Sequence, residues 1–73
     1  MRTVLETTKN KAFLIEVRQR REKMRIPQKA IAHELGISHP AYCKIERGST
    51  DLKFDIFNFL CQRLGIAGEK FVN

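Results

Sequence analysis

The 73-residue sequence has only two cysteines and no long hydrophobic segment. Cys43 and Cys61 both fall within helical patterns, which suits a reducing compartment better than a disulfide-stabilised scaffold. No apolar run approaches the length of a membrane span, and residues 1–10 contain no apolar block ahead of a cleavage site. The sequence therefore predicts a soluble, cytoplasmic protein that does not contact a membrane.

The residue groupings that catalysis requires are also missing. No serine or cysteine stands beside a base, no glycine-rich loop could cradle a phosphate, and no pair of carboxylates is set in an expected cleft. His39 and Cys43 are four residues apart on one predicted helix, but two ligands do not make a structural zinc site. We therefore expect no enzyme, no metal and no cofactor.

Acidic residues are scarce relative to basic ones. The chain has 14 Lys and Arg against 8 Asp and Glu, a formal net charge of +6. Residues 1–25 alone contain eight basic and three acidic side chains, so most of the excess lies there. This charge favours a polyanionic partner, although a solvated helix face would explain it equally well.

The most informative stretch is residues 28–48, QKAIAHELGISHPAYCKIERG, in which two short helices are predicted. Gly36 can adopt the left-handed conformation that ends the first helix. Ser38 is placed to cap the second helix, Pro40 fits its first turn, and Gly48 ends it. Two short helices joined by a glycine-containing turn are the signature of a helix-turn-helix.

Helices are also predicted over residues 11–24 and 52–64, which gives an all-α chain. One of residues 49–51 is expected to cap the second of these helices. Leu14 falls off the core-facing stripe. The stripe residues on the two helices are Phe13, Val17, Met24, Phe54, Phe57, Leu60, Cys61 and Leu64.

A chain of this length can form one small domain. We divide it into an N-terminal arm at residues 1–10, a helix-turn-helix domain at residues 11–66 and a C-terminal tail at residues 67–73. The function of the arm is not predicted from its sequence.

The motif resembles the Cro and phage-repressor type (XRE-like) of helix-turn-helix domain. The resemblance rests on Gln28 at the start of one helix, Ala32 four residues later, Leu-Gly-Ile-Ser in the turn and Ile-Glu-Arg-Gly at the end, and it covers about residues 13–66. It implies a compact, lambda-repressor-like domain of four to five helices. It also implies sequence-specific binding of double-stranded DNA by a transcriptional regulator, with repression as the expected outcome.

The resemblance and the docking geometry of such motifs, in which the second helix enters the major groove, supply candidate site residues. Arg21 is expected to form a structural ion pair with Glu46. Pro40 departs from the polar residues often found at its position and offers only apolar contact to a base. The candidate base contacts are His39, Pro40, Cys43 and Lys44. The candidate phosphate contacts are Gln28, Lys29, Ser38, Arg47, Ser49, Thr50 and Lys53.

A second apolar face is predicted on the last helix, where Leu52, Ile56 and Phe59 are spaced at i, i+4 and i+7. This face is the candidate interface of a homodimer, unless the arm or the tail covers it. Two other functions remain open. The protein could be an antitoxin or mobile-element controller that docks a partner protein on this face, or an adaptor that has lost specific DNA reading, as Pro40 would allow.

Overall fold

The computed structural model describes residues 7–71, with side chains from residue 11 onward. This part of the chain contains no strand, so the predicted all-α fold is confirmed. Residues 1–6 of the predicted arm and residues 72–73 of the tail lie outside the described residues, whereas residues 7–10, which were assigned to the arm, form the start of the first helix. The elements are α1 Thr7–Lys23, α2 Gln28–Leu35, α3 His39–Arg47, α4 Phe54–Leu64 and a 3-10 helix at Gly68–Phe71. No helix among them is long and apolar enough to cross a membrane.

The turn between α2 and α3 has the predicted chemistry. Gly36 follows α2 with φ +73°, and its amide and that of Ile37 donate to carbonyls of the last turn of α2. Ser38 caps α3, because its hydroxyl oxygen accepts a hydrogen bond from the Ala41 amide at 3.2 Å. Gly48, with φ +83°, ends α3. Local chemistry therefore sets the end of α2 and both ends of α3.

The core forms where α1 crosses the other elements. Phe13 is fully buried, and its ring centroid lies 4.5 Å from that of Phe57 and 5.3 Å from that of Phe71. Phe71 belongs to the 3-10 helix of the tail, which therefore contributes one side chain to the core. Ile31 of α2 and Tyr42 of α3 are buried in the same core cluster.

The predicted core stripe is wrong at three positions. Phe54 is 62% exposed because it is the first residue of α4, although the Phe57 ring stacks on it. Met24 is 46% exposed because it lies beyond the last residue of α1, where the chain turns. Leu14 is buried because α1 packs against both α3 and α4, which widens its buried face beyond a single stripe.

The start of α4 also differs from the prediction. The helix begins at Phe54, two residues later than expected, and Lys53 occupies the N-cap position without a side-chain hydrogen bond. Residues 49–51 lie too early in the chain to cap it. Leu52 therefore precedes α4 and is buried in the core, so helical spacing does not align it with Ile56 and Phe59. The apolar face proposed for a dimer is reduced to the latter two residues, which are half-buried.

Candidate nucleic-acid interface

The predicted base-contact residues lie on α3, near its N-terminus. The first turn of α3 begins directly after the Ser38 cap and exposes His39 and Pro40, and Lys44 is exposed one turn further along the helix. Cys43, on the same helix, is half-buried and faces α2. The structure thus brings three of the four predicted base-contact residues onto one exposed surface.

The buried carboxylate of Glu46 holds this surface in place. Arg21 of α1 donates to it twice, from Nε to Oε2 at 2.9 Å and from Nη2 to Oε1 at 3.0 Å. The Tyr42 hydroxyl donates to Oε2 at 2.7 Å, and the Gln28 amide donates to Oε1 at 2.9 Å. The Arg21–Glu46 pair that the resemblance implies is therefore present, and it joins α1, α2 and α3.

Burial and hydrogen bonding compete in setting the ionisation of this cluster. Burial alone would raise the pKa of Glu46, but the hydrogen bonds from Arg21, Tyr42 and Gln28 outweigh it and lower the pKa. Burial also disfavours the charged form of Arg21 and would lower its pKa. The hydrogen bond and the charge of Glu46 outweigh this effect, so the pKa of Arg21 is raised overall. Burial and the neighbouring Glu46 carboxylate raise the pKa of Tyr42. The ionised pair and the neutral phenol are thus the stable forms.

The Gln28 side chain turns inward from the surface where a phosphate contact was predicted. Its amide nitrogen is bonded to Glu46, and its oxygen accepts from the Cys43 thiol at 3.0 Å and lies 3.5 Å from His39 Nε2. The backbone at this point is different, because amides in the first turn of a helix have no intrahelical acceptor. Pro27, the N-cap, supplies no side-chain hydrogen bond to them. The start of α2 therefore offers the backbone amides of Gln28 and Lys29 to an anion, whereas the Ala30 amide donates to the Pro27 carbonyl at 3.0 Å.

The remaining predicted phosphate contacts fall into separate grooves. Ser38, Thr50 and Lys53 line one groove, together with the predicted base contacts Pro40 and Lys44. Ser38 uses its hydroxyl oxygen in the helix cap.

Arg47 lines a second groove, which runs past Gln28. Its Nε donates to the Ser49 hydroxyl at 2.9 Å. Lys29 is exposed beside Gln28 at the start of α2.

Arg18, one turn before Arg21 on α1, also lines the groove at Gln28. Among the described side chains, no group of three or more His, Cys, Asp or Glu residues is arranged to hold a metal ion.

These features define a helix-turn-helix whose second helix is exposed at its N-terminus. The sequence model of a helix-turn-helix family matches residues 17–71, three quarters of the chain. The chain therefore belongs to the helix-turn-helix family of the Cro and phage-repressor type, whose members are DNA-binding domains of transcription regulators. Searches of the curated proteins and of the solved structures found no match.

Proposed function

We propose that the protein binds double-stranded DNA sequence-specifically as a homodimer and represses transcription in the cytoplasm by occupying a promoter. The observation that carries this proposal is the exposed first turn of α3 next to the uncapped start of α2. The first can enter a major groove, and the second offers amides to the adjacent phosphates.

Base reading is assigned to α3. Lys44 is exposed one turn from the N-terminus of the helix and can donate to guanine N7 and O6. His39 lies beside the Gln28 oxygen, and an Nε2–H in that contact leaves Nδ1 as an acceptor for a base edge. Pro40 contributes apolar contact, and half-buried Cys43 is the least accessible of the four candidates.

Phosphate binding is assigned to both sides of α3. On one side are the first-turn amides of α2, with Gln28, Lys29 and Arg47 around them. On the other side Lys44 shares its groove with Thr50 and Lys53, and Ser38 adds a hydroxyl. Most hydrogen bonds between proteins and DNA go to phosphate and sugar, so these residues would supply most of the affinity.

Dimerisation is assigned to the outer face of α4. Ile56 and Phe59 pack partly on the core and keep part of their apolar surface in solvent. A two-fold dimer through this face would present two copies of α3 to the two halves of a near-palindromic site.

The test is selection of bound duplexes from a random-sequence pool at near-physiological salt, with the Lys44→Ala variant selected in parallel. We expect the unmodified protein to enrich a palindromic consensus and the variant to enrich a weaker one. An asymmetric consensus would overturn the homodimer. If the folded protein enriched no duplex sequence, specific DNA reading would be overturned. The alternative function as a protein-interaction adaptor would then be favoured.

A further inference from the structure

The basic residues of α1 separate into two groups. Arg20 is used within the fold, because it donates to Glu16 at 3.0 Å and to the Gly65 carbonyl at the end of α4 at 2.9 Å. Arg21 is used in the Glu46 cluster. Lys11 and Arg18, by contrast, are exposed and make no hydrogen bond or ion pair with another residue that the structure describes. Contacts within the described fold therefore use the positive charges of Arg20 and Arg21 but not those of Lys11 and Arg18.

Lys11 and Arg18 lie on the same side of α1, facing the end of α3. They line a groove with Leu14, Ile15, Arg47 and Gly48. Arg18 and Arg47 also line the neighbouring groove that reaches Gln28. The two grooves thus form one continuous surface, here called the α1 trough, which leads from the start of α2 to Lys11.

The charges in the α1 trough favour an extended anion. Lys11, Arg18 and Arg47 supply three cations against the one exposed carboxylate of Glu22, whereas the Glu46 carboxylate is already paired with Arg21. At the end of α3, the carbonyls of Lys44 and Ile45 accept from the amides of Ser49 and Gly48, so they do not repel an anion as bare acceptors would.

The seven residue-to-residue steps from Lys11 to Arg18 span about 10 Å along the helix axis. A DNA strand advances about 3.4 Å per phosphate, so the trough is longer than one phosphate group requires. Ile15, which is 48% exposed between the two cations, adds an apolar surface that suits a sugar ring.

We propose that the α1 trough binds the sugar-phosphate backbone of the duplex that flanks the half-site read by α3, with Lys11 and Arg18 as its phosphate contacts. This inference depends on the proposed DNA-binding function, and it enlarges the bound DNA beyond the bases that α3 reads.

The test measures the salt dependence of binding to two duplexes that share the selected site. One duplex ends at the site, and the other continues for about five base pairs, roughly 17 Å, on each side. The test variant is Lys11→Ala/Arg18→Ala. The matched control is Lys23→Ala/Lys70→Ala, which removes the same charge from two exposed residues that line none of the grooves described above.

On the longer duplex, we expect the test variant to reduce the slope of log K against log salt by about 1.8 for each subunit, or 0.9 for each lost phosphate contact. On the shorter duplex, test and control variants should have the same slope. The variant Lys11→Arg/Arg18→Lys should restore the slope, because both charges remain.

Equal slopes for the test and control variants on the longer duplex would overturn the proposed phosphate contacts of Lys11 and Arg18. The proposed DNA-binding function would remain intact. An equal loss on both duplexes would place the contacts within the site and overturn the flanking position. If the unmodified, folded protein bound neither duplex, both proposals would fail.

Discussion

Glu46 is a charged residue in the core, and four hydrogen bonds from three side chains converge on it. Removing one partner of a buried pair leaves the other desolvated without its counter-charge. Glu46→Gln should therefore lower the free energy of unfolding by about 3 kcal/mol, measured by urea denaturation. Glu34→Gln, which breaks the exposed pair with Arg63, is the control and should have a much smaller effect.

The same residue predicts how stability depends on acid. The pKa of Glu46 is lower in the folded protein than its ordinary value of 4.5, so between the two values the unfolded chain binds more protons. The contribution of Glu46 to stability is fully present above pH 4.5 and is lost as pH falls through the lowered pKa. Urea midpoints from pH 7 to pH 3 should fall more steeply for the unmodified protein than for Glu46→Gln. Parallel curves would contradict this prediction.

Lys44 and Gln28 should differ in how they affect DNA binding. Lys44→Ala should reduce discrimination between the selected site and its single-base variants by about 1 to 3 kcal/mol, because a base contact is lost. Gln28→Ala should weaken all duplexes similarly, since its amide holds Glu46 and borders the phosphate site. Fluorescence anisotropy with both sets of duplexes measures the difference. An equal loss on every duplex from Lys44→Ala would refute its reading role.

At the scale of the element, the position of α3 depends on its N-cap. Ser38→Ala removes the acceptor for the Ala41 amide and should cost about 1 kcal/mol of stability. It should also weaken DNA binding, because His39 and Pro40 lie in the first turn that the cap orders. Ser49→Ala is the matched control, because that hydroxyl meets only exposed Arg47. Equal urea midpoints for the two variants would show that the cap contributes nothing.

The ends of the helices show where sequence patterns succeed and fail. Gly36 and Gly48 end α2 and α3 as expected, because a left-handed residue at that point strongly favours glycine. The end of α1 uses Arg25 in the same conformation, with φ +59°, and this residue type carries no such signal. The start of α4 has no side-chain cap. The candidate capping residues in the preceding loop therefore predicted a helix start that is too early.

At the scale of the whole molecule, the main prediction concerns the dimer. Phe59→Asp would bury a charge in the proposed interface on α4 and should convert a dimer to a monomer in sedimentation experiments. Phe54→Asp is the control, because it changes an exposed aromatic at the start of the same helix. Thermal unfolding of both variants separates dissociation from loss of the fold. A folded Phe59→Asp variant that still sediments as a dimer would move the interface elsewhere.

The candidate site was partly accessible from sequence. The exposure of His39, Pro40 and Lys44 follows from their place in the first turns of a capped helix, which local chemistry defines. The inward turn of the Gln28 side chain could not be predicted from the sequence, because it depends on the Glu46 carboxylate 18 residues away. The groove that Arg18 lines beside Gln28 could not be predicted either, since it exists only where α1 meets the end of α3.

The sequence by itself determined the elements and the turn of this protein, because capping, helix termination and apolar periodicity act over a few neighbouring residues. The tertiary structure decided where burial departs from the predicted stripe, since burial requires another element to pack on the residue. Leu14 is buried because two helices pack on α1, and Phe54 is exposed although the Phe57 ring stacks on it. It also decided which cations remain in solvent, because acceptors for Arg20 and Arg21 come from distant parts of the chain.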